Sequence, residues 1–134
     1  MFHKLLLALL LILSTPDVDG IISSKIRWGT ISKYTEGQVV CIINSKEVYK
    51  NIPYYQTIIK EGIHQRSARY AQLMRQATTL YRSTLGKAGI PLIVETDGVD
   101  KTLHKTEDVT QKIISLLTPA ERGNKNYESL LYTF

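Results

Sequence analysis

The chain has 134 residues, 43% of them hydrophobic and 22% charged, which is material for one globular domain of ordinary composition. Its net charge of +5 is concentrated in residues 53–89, where Lys60, Arg66, Arg69, Arg75, Arg82 and Lys87 face a single acid, Glu61, while the other 11 basic and 11 acidic residues cancel. One cysteine excludes an intramolecular disulfide, so packing alone must hold the core.

Residues 1–20 open with MFHK and nine uninterrupted apolar residues from Leu5 to Leu13, closed by Ser14, Thr15 and Pro16. That run is far short of the roughly 20 residues a membrane-spanning helix needs, and it reads as a secretory signal peptide. A retained N-terminal anchor is the alternative, which would tether the protein to the inner membrane. The destination is the periplasm.

Residues 21–37 mix Ser, Thr, Gly and charges with isolated apolar residues and read as a flexible lead-in or a weak edge strand, with Trp28 packing on the head. Residues 38–118 carry the organised part. VVCIIN (39–44) is β-branched and bounded by Gly37 and by Asn44-Ser45, which marks a buried strand, with Cys41 in it as a small buried hydrophobe rather than a reactive thiol.

Ile52-Pro53 suits a helix start, and residues 53–89 read as one long helix or two short ones. Ile63, Tyr70, Ala77 and Thr84, with Leu73, Met74, Leu80 and Tyr81 beside them, form a thin apolar seam at spacings of seven, three and four. Gly62 interrupts it as a kink or the tip of a hairpin, and Gly86 and Gly89 offer left-handed positions for a C-cap before Pro91. Unbroken, this element would reach about 50 Å.

LIVET (92–96) is the second strand, Asp97-Gly98 a tight turn, and Val99 to Leu103 a third strand. Asp108 then caps a helix whose Val109, Ile113, Leu116 and Leu117 share one face. Thr118-Pro119-Ala120-Glu121 fits a capping box, and the polar tail, 119–134, ends in Leu130, Tyr132 and Phe134, an alternation read as an edge strand or coincidence. The fold class expected is α+β: a small β-sheet head with a projecting basic helix or helical hairpin. A head this small needs a partner surface, so oligomerisation is expected.

The chain assembles no catalytic centre. His3, His64 and His104 have no metal-ligand spacing, the serines lack a nucleophile elbow, no glycine-rich phosphate loop follows a strand, and Glu95, Asp97 and Asp100 read as a solvated turn. No cofactor or metal is called for, and the reading is non-enzymatic. What stands out is the basic element: Lys60, Arg66, Arg69, Arg75, Arg82 and Lys87 with Tyr70 and Tyr81 between them form the candidate surface for clients or anions. Export argues against nucleic acid as the partner and favours unfolded chains or an anionic lipid surface.

In order, a strand with a polar exit (VVCIINSKEVYKNIPYYQ), a basic helical arm, and TTLYRSTLGKAGIPLIVETDGVDKTLHKTEDVTQKIISLL resemble the Skp/OmpH family of periplasmic chaperones; Asp108-Val109-Thr110 matches that family's Asp-hydrophobic-Thr step into its last helix. The resemblance implies a β head that trimerises, structural roles for Asp108 and Thr110, and basic arms that hold unfolded outer-membrane proteins. The stretch between the strands is much shorter than a usual arm pair, and a hairpin made from it would reach roughly 25 Å. F-type conjugative-transfer TrbI proteins resemble the chain in that short spacing, and imply instead a component of a type IV secretion apparatus with its other subunits as partners.

Overall fold

A computed structural model describes residues 18–118; the expected leader up to residue 17, the capping box at 118–121 beyond its first residue, and the C-terminal alternation lie outside the described residues. Four strands form one sheet: β1 (Ile26–Trp28), β2 (Val40–Ile43), β3 (Ile93–Glu95) and β4 (Thr106–Asp108). The helices are α1 (Ser45–Tyr49), α2 (Pro53–Glu61), α3 (Ala68–Lys87) and α4 (Thr110–Leu116). The fold is α+β.

β2 and β3 alternate as a two-sided sheet requires. Val40, Ile42, Leu92 and Val94 bury on one face with Ile21 and Val99, whereas Ile43 and Ile93 bury on the other with Val48, Ile52, Tyr81, Leu85, Ile113 and Leu117. The helices cover that second face. In sheet order β1-β3-β2-β4, β2 runs parallel to both β3 and β4, and β1 closes one edge antiparallel to β3. Parallel partners need long crossovers, and the whole helical segment from α1 to α3 is that crossover between β2 and β3.

The expected long helix is two. Gly62, at φ +58, ends α2 in the left-handed conformation with its N–H on the Ile58 and Ile59 carbonyls, and Ser67 opens α3 by accepting the Tyr70 N–H at 3.1 Å. Pro53 takes the first-turn position of α2, as its missing N–H favours. The helices lie back on one another: Glu61 at the end of α2 grips Arg69 at the start of α3, and Tyr55 near the other end of α2 packs on the core around Tyr81.

α3 is half in the head and half out of it. Ala77, Tyr81, Thr84 and Leu85 recur on one face and are buried, while no residue from Ala68 to Gln76 is fully buried. The buried Thr84 hydroxyl is satisfied by the Leu80 carbonyl at 2.7 Å, a back-bond that lets a polar side chain sit in the core. Gly89, at φ +68, supplies the expected left-handed position beyond the helix. Gly86 does not: it lies within α3, where a Cβ would come within 3.0 Å of the Trp28 ring, so its bareness seats Trp28 against the helix.

One strand expectation changes, and the lead-in resolves to one of its two alternatives. Val99 to Leu103 is not a strand; Val99 makes one bridge to Ile21, and the third parallel strand is β4, further on. Asp100 is the cause. Its carboxylate accepts the Thr102 N–H at 2.9 Å and hydroxyl at 2.6 Å, its carbonyl accepts the Leu103 and His104 N–H groups, and these local bonds remove the backbone from any ladder. The lead-in, expected to be flexible or a weak edge strand, is the edge strand β1, and residues 18–22 are joined to the head as well. Gly20 accepts the Asp100 N–H at 2.7 Å, the Ile22 N–H reaches Gly98 at 2.9 Å, and His104 bonds the Asp19 carbonyl at 2.6 Å.

Asp108 ends β4 and accepts the Thr110 N–H at 2.9 Å, so it caps α4 from just before the helix. Thr110 turns its own hydroxyl to the Asn44 N–H, also at 2.9 Å, and ties the start of α4 to the end of β2. Cys41 is half-buried against the helical side of the sheet, and burial, with Glu107 nearby, pushes its thiol pKa up. That keeps it a weakly reactive packing residue.

Candidate partner-binding surface

The helical segment is anchored by a polar hub at the carboxyl ends of β2 and β3. Period-two alternation along Leu92-Ile93-Val94-Glu95 puts Glu95 on the helix-covered face with Ile93. Its carboxylate accepts the Ser45 N–H and Arg27 Nε, each at 2.9 Å, and the Ser45 hydroxyl; that hydroxyl also meets the Tyr81 phenol at 2.5 Å. Tyr81 packs against Tyr49 with ring centroids 4.9 Å apart, and Tyr49 bonds Thr78 and leans on Tyr55. β1, α1, α3 and β3 therefore meet at one carboxylate.

This corrects two expectations. Glu95 does not share a solvated turn with Asp97 and Asp100: its side chain is 13% exposed, against 65% for Asp97. Strand alternation with a serine two residues beyond the neighbouring parallel strand was the signal that could have found it. Tyr81 is buried and cannot contact a client; burial raises its phenol to about 12. Leu80 also packs on the core, so neither lends apolar area to a partner.

The remaining candidate residues stay on the surface. Lys60 lies at the end of α2, Arg66 in the loop after it, and Arg75, Arg82 and Lys87 along α3, all exposed. Arg69 is exposed too, but Glu61 holds it in a bidentate pair at 2.8 and 3.1 Å. Arg66, Arg75 and Arg82 have no acid partner among the described residues. Beside these cations, Ile63, Tyr70, Leu73 and Met74 are half-buried and Tyr54 and Ile59 are exposed, Ile59 to 63%. Ile59 was missed by sequence reasoning because its neighbour Ile58 buries and the two were indistinguishable by type.

The end of the hairpin away from the hub thus offers unpaired positive charge on Arg66 and Arg75 together with apolar side chains, while Arg82, directly after Tyr81, lies where α3 joins the head. Such a surface attracts anionic partners over a Debye length and holds them through apolar contact. Among the described residues no cluster of His, Cys, Asp and Glu is arranged to hold a metal, and no helix is long and apolar enough to cross a membrane. No family model, curated protein or solved structure matches the chain.

Proposed function

We propose that this protein is a periplasmic holdase of the Skp/OmpH type, which binds unfolded outer-membrane proteins through the free part of the α2–α3 hairpin. The observation that carries this reading is the pair Arg66 and Arg75, exposed and without acid partners among the described residues, on the same hairpin as the exposed Ile59 and the half-buried Tyr70 and Met74. The order strand, basic hairpin, strand and Asp108-Val109-Thr110 before the last helix supports it as well. The mechanism is diffuse: charge speeds encounter, apolar side chains retain the client, and each contact is weak enough to release it.

The free arm is short. α3 before its first buried residue, Ala77, is nine residues long, or about 14 Å, too little to enclose a client. Several copies, a trimer by resemblance, would hold one chain between them by avidity. The same shortness favours a second reading, a TrbI-like component of a conjugative transfer apparatus, in which the hairpin docks on a folded subunit.

The two separate in a light-scattering assay with an unfolded β-barrel protein diluted from urea. The holdase reading expects the protein to suppress aggregation, and the double change of Arg66 and Arg75 to Glu to remove most of that effect while the circular dichroism spectrum is retained. No suppression at several-fold excess would overturn it in favour of a docking component.

A further inference from the structure

We propose that the recess between β1 and α3 is a binding site for a phosphate group carried on a small molecule or lipid. The recess has a volume of about 610 Å³ and is lined by Arg27, Trp28, Gly29, Lys33, Arg82 and Pro91, together with Ile26. Three cations from three separate parts of the chain converge on it, and no acid lines it. Arg82 and Lys33 have no ion pair among the described residues, and Arg27 engages Glu95 through Nε alone, at 2.9 Å, which leaves the outer nitrogens of its fork. A planar guanidinium fork suits the oxygens of a phosphate, and a second and third cation from other directions suit a tetrahedral dianion better than a single carboxylate.

The floor is fixed by two glycines. At Gly29, φ +80, a Cβ would fall 2.0 Å from the Pro91 carbonyl oxygen, so only glycine turns the chain there and brings Lys33 round to the side of Arg82. At Gly86, the Trp28 ring rests on bare helix with 36% of the residue exposed. An indole face beside a cluster of cations gives the group that bears the phosphate an apolar seat. Arg82 is shared with an adjoining recess lined by Met74, Arg75, Thr78 and Thr79, where the rest of a longer ligand would lie. The site is on the head side of α3 and does not depend on the holdase reading.

Trp28 is the protein's only tryptophan, so intrinsic fluorescence of the full chain reads this recess directly. Titrations with inorganic phosphate, glycerol 3-phosphate, and vesicles of pure phosphatidylglycerol or pure phosphatidylcholine, against chloride at equal ionic strength, separate the sources. A saturable change with glycerol 3-phosphate assigns a soluble phosphoester, and one with phosphatidylglycerol vesicles alone assigns a lipid headgroup. In either case Arg82→Gln and Lys33→Gln should each weaken binding by about tenfold or more, as loss of one charge-assisted hydrogen bond requires. Lys112→Gln, on α4, should leave it unchanged. No saturable change with any of these probes, an equal response to chloride, or indifference to both Arg82→Gln and Lys33→Gln overturns the proposal.

Discussion

The carboxylate of Glu95 holds Ser45 at both its backbone N–H and its hydroxyl, across 50 residues of chain. The pair closes the crossover between the parallel strands β2 and β3 at the point where the helical segment leaves the head. Arg27 on the same carboxylate adds the edge strand, so one acid sets where the hairpin begins and where β1 lies.

Removing Glu95 should therefore be felt globally. Glu95→Ala strands a half-buried guanidinium and a backbone N–H, and should lower the unfolding free energy by about 2–3 kcal/mol in urea denaturation. Asp97→Ala, two residues on, breaks only the exposed pair with Lys25 at 3.3 Å and should change stability by less than about 0.5 kcal/mol. Equal effects would remove the distinction drawn between the hub and the turn.

Two glycines with the same backbone conformation should respond differently to alanine. Gly29 and Gly37 have φ +80 and +84, but a Cβ meets the Pro91 carbonyl at the first and nothing within 4 Å at the second. Gly37→Ala should cost about 1 kcal/mol from the left-handed conformation alone. Gly29→Ala adds a collision with backbone and should cost at least about 3 kcal/mol, read from the shift in denaturation midpoint.

Tyr81 makes stability depend on alkaline pH. Burial first, and then Glu95, raises its phenol from 10.0 to about 12, with the Ser45 hydrogen bond opposing. A group whose pKa is higher folded than unfolded contributes its full stability below the unfolded value and loses it as pH rises through the folded one. Stability should therefore fall between about pH 10 and 12, and the slope in that window should flatten in Tyr81→Phe. An unchanged slope would mean that the phenol titrates as if exposed.

The sequence was most legible where burial imposes a period. VVCIIN and LIVET gave the two central strands, and Val109, Ile113 and Leu117 gave the face of α4, because a side chain covered on one or both sides of an element leaves its repeat in the residue types. The hairpin break at Gly62 was legible too, since only one residue type takes that φ easily. β1 and β4 were harder: they are the two edge strands and bury no residue fully, so burial leaves no repeat in their residue types, and Asp100 pulls the chain into a turn where the apolar residues Val99 and Leu103 suggested a strand. In the candidate surface, exposure of the cations followed from their charge, but Tyr81 and Leu80 could not be told from Tyr70 and Leu73. Both pairs sit on one apolar seam, and only the point at which α3 enters the head decides which of them is covered.

An unfolded chain held by this protein should touch it on the outer part of the α2–α3 hairpin. Hydroxyl-radical footprinting of the full chain, with and without an unfolded outer-membrane β-barrel, should show protection at Ile59, Ile63, Tyr70 and Met74 and none on β4 or α4, with the protection weakened by salt or by changing Arg66 and Arg75 to Glu. Protection on the sheet edge with the hairpin left unprotected would contradict it.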